Sequence, residues 1–152
     1  MRGRMAGVFV LPLLALWLAW GGCSGESPEA GFAAFAAHGR AGDYDAMWDR
    51  LYEPTRWQAE ITLGSLAASY FIEDAFLTVS DIARMEGPEL LALFHEHGQA
   101  DALALLDGRA EVFLLHQSGE EALILVRAHD DQAIVPMRRE GRVWKVDGSW
   151  GR

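Results

Sequence analysis

The sequence predicts an α+β fold in which N-terminal helices pack on a C-terminal antiparallel sheet of four or more curved strands, with a cone-like shape. Two observations predict this fold. Between residues 28 and 98, apolar side chains recur at helical spacing, whereas from Arg109 onward they form short extended segments separated by turn residues. The length of 152 residues, less a leader, suits one domain, which we place at residues 28–148.

The first 22 residues are predicted to be a secretory leader. Two arginines give a positive start, residues 6–20 are uncharged and mostly apolar, and Gly21 and Gly22 precede Cys23. The apolar run is shorter than the roughly 20 residues that cross a bilayer. We therefore expect an exported chain rather than one held by a transmembrane helix.

Residues 20–23, Trp-Gly-Gly-Cys, resemble the lipobox of bacterial lipoproteins, in which an aliphatic residue and two small residues precede a modified cysteine. Tryptophan stands where the family usually has leucine. The resemblance implies cleavage after Gly22, a diacylglycerol and usually a further acyl chain on Cys23, and residues 23–27 as a lipidated tether. Ser24, in place of a retaining aspartate, favours the periplasmic face of the outer membrane in a diderm host. The alternative is an ordinary leader with an incidental cysteine.

The composition is strongly acidic. The chain has 22 acidic and 13 basic residues and a formal net charge of −9. Loss of the leader with its two arginines leaves 11 basic residues and a net charge of −11. Such a domain repels phosphate backbones and anionic lipid headgroups, so we expect no nucleic acid partner and no electrostatic docking on the membrane, and attachment must come from something other than charge. A single cysteine excludes an intramolecular disulfide.

Helix-capping residues mark the predicted helices. Residues that can cap or open a helix are Ser27 with Pro28, Asp43, Pro54 and Pro88, and Ser80 is expected to begin a short turn. Gly39 is expected to end the first helix and Gly98 the last, while residues 99–108 remain ambiguous. The long third helix carries an apolar stripe of Trp57, Ile61, Ala68, Phe71, Ile72, Ala75 and Phe76.

Four extended segments are predicted at residues 110–116, 122–129, 133–139 and 142–146. Turn residues between them indicate an antiparallel meander. Residues 112–115 and 123–126 are unbroken apolar runs, whereas a sheet with one wet face would alternate. We therefore expect both faces of the central strands to be covered, one by helices and the other by a partner subunit, a further strand layer or a ligand.

The phrase at residues 42–48, Gly-Asp-Tyr-Asp-Ala-Met-Trp, is followed by a meander that closes on Gly-Arg-Val-Trp-Lys-Val at residues 141–146. This order resembles the nuclear transport factor 2-like superfamily, which has a cone-shaped α+β fold. The resemblance covers most of residues 28–148. Enzymes of that superfamily place an acid or a histidine inside the cone, but no residue of this sequence can be assigned to that role.

Other candidate chemistry has simpler interpretations. His95 and His97 are two residues apart on a predicted helix and point to different faces, whereas helical zinc pairs use a spacing of four. Asp43 and Asp45 suit a helix start, and His116 and His129 fall at strand ends. No zinc, nucleophile-elbow, phosphate-loop or dinucleotide motif occurs. We expect no metal and no cofactor, and we assign no catalytic residue.

Four large aromatic residues on the helices are candidates for a pocket: Trp48, Trp57, Tyr70 and Phe71. Core packing against the sheet is the first expectation for them, and lining of a cone mouth is the second.

These observations predict a non-catalytic, lipid-anchored cell-envelope protein that binds a small apolar ligand or a protein partner. The sequence leaves two alternatives open. One is a small-molecule enzyme of the isomerase or dehydratase kind that uses a buried acid or histidine. The other is a structural dimerisation module, most simply a homodimer.

Overall fold

The computed structural model describes residues 25–72, 77–97, 109–128 and 131–148. They form helices α1 (Pro28–Ala41), α2 (Tyr44–Asp49), α3 (Glu53–Phe71), α4 (Val79–Ile82) and α5 (Gly87–Glu96), followed by strands β1 (Glu111–Ser118), β2 (Glu121–Ala128), β3 (Asp131–Glu140) and β4 (Val143–Val146). The predicted α+β class is confirmed: helices occupy the N-terminal half, and the antiparallel sheet is curved and does not close on itself. The predicted leader, Cys23 and the ambiguous segment 99–108 lie outside the described residues.

Local capping sets the helix starts. The Ser27 side chain accepts a hydrogen bond from the Ala30 N–H at 3.2 Å, and Asp43 accepts one from the Ala46 N–H at 3.2 Å. Both residues are therefore the N-caps that the sequence predicts. The first helix runs to Ala41, beyond the predicted stop, and ends at Gly42, whose φ of +72° is the left-handed cap conformation.

The sheet is a simple meander with strand order β1-β2-β3-β4. Gly119 and Gly141 adopt positive φ angles in the turns that follow β1 and β3. The free side of β4 is occupied by the chain between α2 and α3, because the Val146 N–H donates to the Arg50 carbonyl and the Tyr52 N–H donates to the Val146 carbonyl, each at 2.9 Å.

The main core lies between the inner face of the sheet and the first two helices. Alternate residues of β2 point inward and are buried with residues of β3, β4, α1 and α2: Ala122, Ile124, Val126, Met137, Trp144, Phe32, Phe35, Ala36 and Met47. Close approach of α1 depends on Gly31, where a Cβ atom would lie 2.6 Å from the Trp144 Cβ.

A second core joins the remaining helices. Ala67 and Phe71 of α3 pack with Ile82 of α4 and Leu90 of α5. The expectation that the aromatic residues of the third helix roof the sheet is wrong, because α3 packs mainly on α5 and α4. Trp57 is 67% exposed and Tyr70 is 50% exposed.

Candidate functional site

The face of the sheet opposite the main core, which we call the outer face, carries an apolar row across three strands. Phe113 of β1 pairs with Leu125 of β2, and Leu125 pairs with Ile134 of β3. Because side chains alternate along each strand, these three point away from the inward row of Ile124 and Val126. Phe113 is 45% exposed and Ile134 is 60% exposed. No described helix shares a core with this row.

A second row adds apolar surface beside the first. Leu123 pairs with Pro136 on one side and with His116 on the other. The β1–β2 register shifts between Leu114 and His116, so Leu115 occupies a bulge and is 51% exposed. The apolar surface therefore reaches the edge strand β1.

Charged side chains border the apolar rows at both ends. At one end the Arg127 guanidinium lies 5.9 Å from the centre of the Phe113 ring. At the other end Arg138 Nη1 lies 2.8 Å from Glu121 Oε1. An apolar centre with a polar rim is the usual anatomy of a protein interface.

The helical half carries an open groove of about 430 Å³. Its walls are Ile61, Gly64 and Ala68 of α3, Val79 and Ile82 of α4, and Leu90 of α5. This groove uses part of the predicted apolar stripe of α3, which faces α4 and solvent instead of the sheet. The volume is within the range of small-molecule pockets, but the groove is open rather than enclosed.

Short-range hydrogen bonds hold the α4 wall of the groove. The Thr78 N–H and hydroxyl donate to Asp81 Oδ2 at 2.9 and 2.6 Å, and the Asp81 N–H donates to Thr78 Oγ1 at 3.2 Å. This reciprocal pair is a capping box. The hydrogen bonds from the Thr78 side chain and backbone lower the pKa of Asp81 below its usual 3.8.

The four candidate pocket aromatics do not meet in one pocket. Trp48 borders a depression between α2 and α5 and packs against the backbone of Gly87. Phe71 is buried in the second core, and its ring centre lies 5.5 Å from that of Phe94. Trp57 and Tyr70 are on the surface of α3. Helical spacing places these residues on α2 and α3, but it does not predict which residues each side chain contacts.

The histidines make aromatic contacts at helix ends. The His95 ring centre lies 5.8 Å from that of Tyr44, and the His97 ring centre lies 5.0 Å from that of Phe71. Burial, and secondly the charge of Glu96, raise the pKa of Tyr44. His116 is exposed on β1, and His129 is outside the described residues. Within the described part of the chain, no group of three or more histidine, cysteine or acidic residues could hold a metal.

Asp147 is a fully buried carboxyl group that could suggest a catalytic acid. Its Oδ1 accepts from the Thr55 hydroxyl at 3.3 Å, and its Oδ2 lies 3.6 Å from Arg138 Nε. The Gly148 N–H donates to Thr55 Oγ1 at 2.9 Å. Asp147 lines neither the groove nor the depression beside Trp48. The arrangement joins the start of α3 to the sheet and so supports a structural role.

Sequence reasoning missed Glu26, which it placed in a polar tether. Its carboxylate accepts from Arg50 Nη1 at 2.7 Å and from the Trp144 N–H at 2.9 Å. These partners are 24 and 118 residues away along the chain, so no local pattern could have identified them.

Among the helices that the structure describes, none is both long and apolar enough to cross a membrane. Comparisons with models of protein families, with curated proteins and with solved structures find no significant match. The resemblance to the nuclear transport factor 2-like superfamily therefore stays a prediction.

Proposed function

We propose that this chain is a lipid-anchored cell-envelope protein whose domain is a non-catalytic binding module. Its outer face binds a protein partner, most simply a second copy of the same chain. The observation that supports this proposal is the row Phe113, Leu125 and Ile134, in which three apolar side chains are paired across the strands and the outer two, Phe113 and Ile134, are largely exposed. Contiguous apolar surface of this kind marks interaction sites on soluble domains.

The anchor rests on the charged, apolar and small-residue order of residues 1–22 and on Cys23 as the sole cysteine. Two or more acyl chains on one residue give stable attachment. Expression with a fatty-acid probe tests the anchor. We expect label on the unsubstituted chain and on the neighbouring control Ser24→Ala, and none on Cys23→Ser. Label retained by Cys23→Ser would remove the anchor from the proposal.

Self-association through the outer face should be weak in solution. Burial of roughly 400 Å² of apolar surface gains on the order of 10 kcal/mol. An association cost of at least about 4 kcal/mol leaves a dissociation constant of roughly tens of micromolar or weaker. Confinement of anchored copies to a membrane raises their effective concentration, so weak contacts of this size are sufficient there.

Sedimentation equilibrium of residues 24–152 tests this contact. We expect a monomer–dimer equilibrium that Ile134→Glu weakens by about tenfold or more, because a charge would be buried in the apolar row. Gln132→Glu is the matched control: it adds the same charge two residues away on the same face, outside the apolar row. A strict monomer, with no co-purified molecule in native mass spectrometry, would contradict the proposal.

The groove between α3, α4 and α5 supports a second candidate function, the binding of a small apolar ligand. Its walls are mostly aliphatic, with Ile61 47% and Val79 66% exposed. Native mass spectrometry of the purified chain should then detect a ligand that Ile61→Glu removes. Leu66→Glu is the control, since Leu66 is an exposed apolar residue of α3 that does not line the groove. Equal ligand content in both variants would exclude the groove.

A further inference from the structure

The polypeptide is fixed to the fold immediately after the predicted lipid site. The Glu26 carboxylate accepts hydrogen bonds from Arg50 Nη1 through both oxygens, at 2.7 and 2.8 Å, and from the Trp144 N–H at 2.9 Å. The Glu26 and Arg50 side chains are 21% and 23% exposed. Charge-assisted hydrogen bonds are stronger than neutral ones, and partial burial limits screening by salt. Glu26 is therefore held to both the end of α2 and the start of β4.

Only a short length of chain separates the described residues from the predicted lipid site. Gly25 already lies against the β3–β4 turn, since a Cβ at that glycine would be 3.6 Å from the Arg142 carbonyl oxygen. Two peptide units separate Gly25 from Cys23, so their Cα atoms can be at most about 7.6 Å apart. A lipid on Cys23 would thus enter the membrane beside this turn.

The same end of the fold carries the densest basic segment of an acidic chain. Residues 138–145 contain four of the 11 basic residues that follow the leader, and only one acid, Glu140. The segment has a formal charge of +3 in a mature chain of −11. Arg142 at the turn is exposed, whereas Lys145 Nζ is paired with Glu140 at 2.6 Å and Arg138 Nη1 is paired with Glu121 at 2.8 Å. Anionic headgroups attract such a segment and repel the acidic remainder of the surface.

We propose that the anchored domain docks on the lipid bilayer in one orientation, with the β3–β4 turn at the headgroups and the opposite end of β3 directed away from them. Glu26 acts as the clamp that transmits this orientation from the tether to the fold. This inference rests on the proposed lipid anchor. The ten residues of β3 span about 30 Å, so its two ends lie at clearly different distances from the bilayer.

Fluorescence quenching on vesicles tests the orientation. The full lipidated chain is reconstituted in vesicles of zwitterionic and anionic phospholipid that carry a headgroup quencher. A thiol-reactive fluorophore is attached at Val143→Cys, beside the turn, or at Gln132→Cys, near the far end of β3. We expect several-fold stronger quenching at position 143. Equal quenching at the two positions would overturn the proposal.

The thiol chemistry separates failure of the orientation from failure of the anchor. A lipidated Cys23 is a thioether and cannot react with the fluorophore, so the unsubstituted chain should stay unlabelled. Labelling of that chain would show that the anchor is absent. Unlabelled starting protein with equal quenching at positions 143 and 132 would show that the anchor is present and the fixed orientation is not.

Substitution of the clamp gives an independent readout. Glu26→Gln removes the negative charge that accepts hydrogen bonds from Arg50 and from the Trp144 N–H, and we expect the quenching at positions 143 and 132 to become more alike. Glu29→Gln is the matched control, because it makes the same charge change three residues further along, in the first turn of α1. Circular dichroism checks that both variants fold. An unchanged quenching ratio in folded Glu26→Gln would show that Glu26 is not the clamp.

Discussion

The close packing of α1 on the sheet can be tested by replacing two helical glycines with alanine, one at the contact with the sheet and one away from it. Gly31→Ala would place a Cβ 2.6 Å from the Trp144 Cβ and 2.8 Å from its carbonyl oxygen. The carbonyl is backbone and Trp144 is only 1% exposed, so the clash cannot be relieved by moving a flexible side-chain end. Gly64→Ala, in the interior of α3, meets nothing within 4 Å.

The two substitutions should have opposite signs. Overpacking of a buried contact costs about 1–3 kcal/mol. Replacement of glycine by alanine inside a helix returns about 0.5–1 kcal/mol. We therefore expect Gly31→Ala to lower the free energy of unfolding by about 1–2 kcal/mol, and Gly64→Ala to raise it by about 0.5–1 kcal/mol. The helix-propensity gain is common to both, so the difference isolates the contact with Trp144.

Urea unfolding of residues 24–152, followed by tryptophan fluorescence, measures both values. The midpoint should fall for Gly31→Ala and rise for Gly64→Ala, with similar slopes in the two transitions. A neutral or stabilising Gly31→Ala would refute the close approach of α1 to Trp144. Since Glu26 precedes α1 and also contacts the Trp144 N–H, that result would also weaken the argument for a fixed tether.

Three further predictions concern charged and polar groups. Asp147→Asn should lower the free energy of unfolding by about 1–2 kcal/mol, because it removes the charge from a buried group that accepts a hydrogen bond from Thr55 and lies 3.6 Å from Arg138, which keeps Glu121 as a partner; an unchanged urea midpoint would contradict this role. The lowered pKa of Asp81 means that its contribution to stability is complete above its unfolded value of 3.8 and is lost as the pH falls through the lower folded value. Thr78→Ala should return that pKa toward 3.8 in an NMR titration, and a pKa that does not move would argue against the capping box. Metal analysis of residues 24–152 should find no stoichiometric transition metal, and one lost in His97→Ala would show that the spacing argument against a histidine metal site is wrong.

Two helix starts and two strand turns could be predicted because their causes are local. Ser27 and Asp43 each accept a hydrogen bond from an amide three residues ahead, and Gly119 and Gly141 each provide a positive φ within a short turn. In these cases the interacting groups lie within a few residues, so the sequence contains the whole interaction.

The neighbour of the long helix could not be predicted in this way. Helical spacing places Trp57, Ile61 and Ala68 on one side of α3, but it does not say what meets that side. The inner face of β2, β3 and β4 is occupied by α1 and α2, whose Phe32 and Met47 share its core. The stripe of α3 consequently lies along the groove and at the surface. The apolar character of the outer face, by contrast, could be predicted, because the unbroken apolar runs of β1 and β2 indicate a sheet with two apolar faces.

The anchor and the outer face constrain each other. An isologous pair of membrane-anchored copies must have its two-fold axis close to the membrane normal, since otherwise one lipid would point away from the bilayer. With the β3–β4 turns of both copies at the headgroups, such an axis through the centre of the apolar row would bring Leu125 of one copy near Leu125 of the other. Phe113 of each copy would then face Ile134 of its partner. A fixed orientation thus selects one of the many ways in which two apolar faces could meet, and it lets a contact that is weak in solution be specific on a membrane.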